Sequence, residues 1–147
     1  MNDAPNELTA IHEAAHCLVS RYFGMEVVET WINGERGNCR HREPDDGDLG
    51  LLENIAVNFA GKVAEDRVRG YTDEEAWLGG SDYRRAFLLA TRLNAGDKVG
   101  AELLLQWMER RTELFVSKLW PQIEKLAYAL LNREKLSGEQ IAEILST

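Results

Sequence analysis

The segment His12-Glu13-Ala14-Ala15-His16 sets two histidines four residues apart, with a glutamate directly after the first. On an α-helix such positions share one face, so two imidazole nitrogens can aim at a single point, and a zinc ion fits there. Catalytic zinc takes three protein ligands and keeps a fourth position for water, whose pKa it lowers toward about 7. Glu13 is placed to accept that water's proton and later to protonate a leaving amine. The bland alternative is a helix carrying two surface histidines by chance. Against it stand the small neighbours Ala14, Ala15 and Cys17, which leave room for an ion, and the apolar character of the rest of the segment. Two histidines and a base are an incomplete site, and spacing alone leaves the third ligand open among Glu43, Asp45, Glu65, Asp66 and Asp82.

The elements that must position these groups follow from periodicity. Leu8, Ile11, Ala15, Leu18, Val19 and Tyr22 recur at helical spacing and predict a helix from about Glu7 to Phe23, stopped by Gly24. Val27 to Ile32 reads as a strand, Asn33-Gly34 as a turn, and Asn38 to Arg42 as a second extended piece. Glu43 to Asp48 suits a loop. Helical spacing resumes through Leu51, Leu52, Ile55, Phe59, Val63 and Val68 to Gly70. A connection from Tyr71 to Gly80 leads to Ser81 as an N-cap and a helix through Leu93, with Asp82 in its first turn. After a break at Asn94 to Gly96, Val99 to Leu131 is helical, with Pro121 expected to kink it or mark a fresh start. Ser137 and Gln140 form a capping-box pattern for a last helix toward Leu145. The expectation is a mainly α fold with a small N-terminal β-hairpin or sheet, an α+β arrangement without internal repeats.

Composition narrows the function classes. A chain of 147 residues fits one domain spanning residues 1–147, and its formal charge of −8 has the wrong sign for a general nucleic-acid binder. Cys17 and Cys39 are too few and too unpatterned for a disulfide framework, which makes a reducing cytoplasm the simpler expectation. Cys17, pointing about 100° from His16 on a helix, reads as a packed small residue rather than a ligand or nucleophile. No apolar run approaches the roughly 20 residues a membrane span needs, and the first residues lack the pattern of a signal peptide.

Four segments carry a resemblance: HEAAH at 12–16, FAGKVAEDRVRG at 59–70, GGSDYRRAFLLATRL at 79–93 and EKLSGEQIAEIL at 134–145. In the same order, they resemble the peptidase domain of the FtsH-type ATP-dependent zinc metalloproteases. The resemblance implies a zincin-like HExxH helix followed by a helical bundle, with Zn2+ held by His12, His16 and Asp82, Glu13 as the catalytic base, and Glu65 steadying a ligand histidine. Ala15 stands where that family usually has glycine. No GxxxxGK[ST] pattern occurs, so the resemblance is to the peptidase part standing alone. It leaves room for an ATPase partner in trans and for a homo-oligomer, since FtsH-type proteases work as hexameric rings.

These readings converge on a zinc metalloendopeptidase acting on flexible or unfolded polypeptide. Gly37 to Arg42 is a candidate edge strand for an extended substrate, with an ordinary charged edge as the equal alternative. His41 is a weaker candidate for steadying an oxyanion. Trp107, Phe115, Trp120 and Tyr128 on the long C-terminal helices read as core or subunit contacts. Two competing functions are a catalytically silent binding or adaptor module on the same fold, and a peptidase dedicated to one regulatory protein.

Overall fold

A computed structural model describes residues 5–42 and 47–147. Its elements in chain order are α1 (Pro5–Tyr22), β1 (Val27–Asn33), β2 (Arg36–His41), α2 (Asp48–Arg69), α3 (Glu74–Leu78), α4 (Ser81–Leu93), α5 (Lys98–Arg133), β3 (Lys135–Ser137) and α6 (Gly138–Leu145). The fold is mainly α with one small antiparallel sheet. The loop expected over Glu43 to Asp48, with the candidate ligands Glu43 and Asp45, falls largely outside the described residues.

Helix α1 is buried at the centre of the fold, as its apolar character implies. From Leu8 to Ser20 only Ile11's neighbour His12 is more than marginally accessible. Ala10, Ala14, Ala15 and Cys17 are fully buried, and these small side chains let α2, α5 and the hairpin all pack against one helix. Helix α2 is likewise enclosed from Ile55 to Ala64. Helix α4 is amphipathic and buries only Ala86 and Ala90. Along α5, Ala101, Leu105, Met108, Thr112, Val116, Ile123, Leu126, Ala127 and Leu130 form the apolar stripe that closes the core.

The strand order is β2-β1-β3, so β2 is an edge. Strand β1 pairs Trp31 with Asn38 and Ile32 with Gly37 on one side, and Thr30 with Leu136 on the other. The buried Thr30 hydroxyl donates to the Asn38 carbonyl at 2.9 Å, which ties the hairpin from inside.

Several local expectations are revised. The cap of α4 is Gly80 in extended conformation, with Ser81 already the first helical residue and no side-chain cap bond. Of the two readings of Pro121, the fresh start is overturned: helix α5 runs through it as one element of 36 residues, with buried positions on both sides of the proline holding it in register. The short α3 interrupts the connection after Gly70, capped by Asp73, whose carboxylate accepts from the Ala76 amide at 3.1 Å. Strand β3 gave no sequence signal: Glu134 takes φ +64 without being glycine, and its carbonyl accepts from Ile32 at 2.9 Å as the chain turns into the sheet. The capping box of α6 forms as expected, with Ser137 and Gln140 exchanging bonds.

Candidate metal centre

Helix α1 presents His12 and His16 one turn apart toward α2 and the start of α4. The His16 Nδ1–H donates to the Val57 carbonyl of α2 at 2.6 Å. A carbonyl can only accept, so Nδ1 holds the proton and a neutral His16 turns an Nε2 lone pair inward. The His12 Nδ1–H donates to Glu65 Oε2 at 3.2 Å, with the same consequence for its own Nε2. Arg69, one turn along α2, stands 3.7 Å from the other Glu65 oxygen.

Asp82, in the first turn of α4, completes the cluster. Its Oδ2 lies 3.1 Å from each Nε2, and the two Nε2 atoms are 3.0 Å apart. With both imidazoles neutral, three lone pairs therefore face one point with no proton among them. A cation is what such a cluster accommodates. Tetrahedral zinc with ligands at 2.0–2.1 Å sets them about 3.3 Å apart, close to the observed triangle. Among the described residues, His12, His16 and Asp82 are a group able to hold a metal ion, and the donor set of two imidazoles and one carboxylate suits zinc.

Electrostatics express the same convergence in the absence of metal. Burial works against a charged His12, yet hydrogen bonds to Asp82 and Glu65 and the charge of Glu13 raise its pKa well above the ordinary histidine value. His16, also opposed by burial, is raised mainly by Asp82. Burial pushes Asp82 up, but the His16 charge and both histidine hydrogen bonds outweigh it and leave the carboxyl far below its usual range. Glu13 is raised by burial, with His16 and His12 opposing.

Glu13 lines the same polar cleft of about 160 Å³ as His12, His16 and Asp82. A second hollow of about 520 Å³ continues from His12 and Glu13 past Trp31, Arg36 and Asn38, so the groove runs along β2.

The chain is 32% identical over 115 residues to the ATP-dependent zinc metalloprotease FtsH of Synechococcus sp. (strain JA-2-3B'a(2-13)). The similarity is distant and partial: the matched region covers 68% of this chain and 18% of that protein, so the chain spans less than a fifth of its relative's length. No family model matches the chain.

The structure brings His12, Glu13, His16, Glu65 and Asp82 of the sequence reading together. Asp66 is directed elsewhere, accepting from the Thr72 hydroxyl at 2.7 Å and pairing with Lys62 at 3.0 Å. His41 borders the 160 Å³ cleft, where its Nδ1–H donates to the Arg42 carbonyl at 3.2 Å. Phe115 and Trp120 are partly packed on the core, whereas Trp107 and Tyr128 are exposed.

Two glycines have a role against the site residues that the sequence does not signal. A Cβ on Gly61 would stand 2.5 Å from the His12 ring, and one on Gly37 would stand 2.8 Å from the Glu13 side chain. Each lets backbone come close enough to hold a chemical group in place. Gly61 lies in a segment that carries the family resemblance, but nothing local says that it faces a histidine. Arg85, three residues beyond Asp82, also borders the cleft and was overlooked as one arginine among many. The two cysteines, which spacing does not pair, are in contact: Cys17 is fully buried as expected, and its sulfur lies 2.7 Å from that of Cys39 on β2.

Proposed function

We propose that this chain is a zinc-dependent endopeptidase unit that hydrolyses extended, flexible polypeptide. One observation carries the reading: three lone pairs, each oriented by the surrounding fold, converge beside a buried glutamate in an open groove. His12, His16 and Asp82 would hold the ion. The chemistry a bound zinc supplies is acidification of a water and polarisation of a carbonyl.

The remaining work belongs to the chain. Glu13 takes a proton from water onto its carboxylate and passes it to the departing amine nitrogen, a role that its place in the cleft beside His12 and His16 allows. Glu65 and the Val57 carbonyl hold the imidazole rings in a single orientation, so little reorganisation accompanies the reaction. Strand β2, at the edge of the sheet among the described residues, offers main-chain donors and acceptors to a chain laid along the groove. That mode needs an extended backbone and little particular sequence, hence the preference for flexible or unfolded substrate. The partial likeness to a zinc metalloprotease supports the same reading, and an ATPase acting in trans would supply unfolded chains.

Purified protein with zinc should cleave casein, and Glu13→Gln should abolish cleavage while metal analysis still finds about one zinc per chain. Metal retained without Glu13-dependent cleavage would overturn the enzyme reading in favour of a binding module. Two imidazoles and a carboxylate also suit ferrous iron, so iron recovered from native protein would redirect the chemistry away from hydrolysis.

A further inference from the structure

Outside the metal cluster, the unusual pairing of reactive groups is that of Cys17 and Cys39. Both are free thiols. Their sulfurs are 2.7 Å apart, closer than ordinary packing of two sulfur atoms and within a small movement of the roughly 2.05 Å of a disulfide. The elements that carry them matter. Cys17 directly follows His16 on α1. Cys39 lies on the face of β2 shared with Gly37 and His41, which border the cleft, and Gly37 is the residue packed against Glu13.

We propose that Cys17 and Cys39 are a dithiol–disulfide couple whose oxidised form bonds the edge strand β2 to the histidine-bearing helix α1. The oxidant is a low-molecular-weight disulfide. Cys39 is the more accessible thiol and attacks one sulfur of the reagent: its S–S bond breaks, a mixed disulfide forms on Cys39, and one thiolate leaves and takes up a proton. Buried Cys17 then attacks the Cys39 sulfur, forms the protein disulfide and releases the second thiol. Two protein thiols lose two electrons and two protons, and the reagent gains both as two thiols. Contact with Cys17 and burial push the Cys39 thiol well up, which makes the exchange slow near neutrality.

The consequence is mechanical. In the dithiol form β2, an edge strand among the described residues, is held by its pairing with β1 and its packing on α1, with no covalent tie to either. In the disulfide form its Cys39 end is anchored, and with it the wall of the groove.

The full-length chain is incubated with oxidised glutathione at mildly alkaline pH, its free thiols are blocked, and it is examined by peptide mapping and amide hydrogen exchange. Expected are a Cys17–Cys39 cross-linked peptide, reversal by dithiothreitol, and severalfold slower exchange across residues 36–41 in the oxidised protein. Cys17→Ser should instead keep glutathione on Cys39, and Cys39→Ser should leave Cys17 unmodified unless the protein is unfolded. A stable glutathione adduct on Cys39 beside a free Cys17 in the parent protein would overturn the proposal, as would two unreactive thiols or unchanged exchange in β2 after the disulfide has formed.

Discussion

At the scale of single residues, the proposed site depends on lone-pair direction more than on residue type. Asp82→Ala should weaken zinc binding by at least about 100-fold, since it removes a ligand, whereas Glu65→Gln, which still accepts from His12, should cost about 10-fold or less. Competition with a chelator of known affinity measures both, and equal losses would contradict the different roles. The same cluster makes binding depend on pH. In the metal-free protein, hydrogen bonds and charges from Asp82, Glu65 and Glu13 outweigh burial and raise both histidines above 6.5. Zinc must displace those protons, so affinity should fall as pH drops through the raised values, by up to about 100-fold per pH unit where both imidazoles are protonated. The chelator competition repeated between pH 6 and 8 checks the slope.

At the scale of elements, α5 shows how packing overrides a local rule. Pro121 has no N–H to offer the carbonyl four residues earlier, and its ring crowds that turn, yet the helix continues because the buried stripe from Ala101 to Leu130 spans it. Position 121 is exposed, so Pro121→Ala alters the backbone without emptying the core. The variant should be more stable by about 1–3 kcal/mol in urea unfolding, the regained hydrogen bond being offset in part by a freer unfolded chain. Unchanged or reduced stability would mean that the turn at Pro121 serves the packing of Trp120, which lies under Arg67 with the guanidinium 4.6 Å from the ring centre.

At the scale of the whole molecule, α2 carries groups that face both the site and the core behind it. The Lys62 amine lies between Asp66 on its own helix and Glu109 on α5, with the Trp77 ring 5.8 Å away. Burial lowers the Lys62 pKa, but the hydrogen bonds and charges of Glu109 and Asp66 more than compensate and raise it. A raised lysine contributes stability that is complete below its unfolded value of about 10.4 and is lost as pH climbs through the folded value. Thermal melts at pH 9 and 11 should therefore show a larger drop for the parent than for Lys62→Met. Equal drops would mean that the ion pairs do not join α2 to α5 energetically.

Much of the fold was legible because it is written in local periodicity. The helical spacing of α1, α2, α4 and α5, the Asn33-Gly34 signal and the Ser137–Gln140 capping box each specify an element from a few neighbouring residues, and HEAAH places two histidines on one helical face by geometry alone. What lies between elements had no such signature. Strand β3 exists because Leu136 finds Thr30 across the sheet, and Gly61 and Gly37 matter because His12 and Glu13 come from another element to meet them. Asp82 is 66 residues from His16: the family resemblance points to it, but spacing does not, and the packing of α4 against α2 and α5 is what brings it, rather than Asp66, to the histidines. The contact of Cys17 with Cys39 is likewise a product of β2 lying on α1. Periodicity is a property of the chain a few residues at a time; convergence of lone pairs, thiols and glycine-sized gaps is a property of surfaces brought together by burial, and only the tertiary structure could decide it.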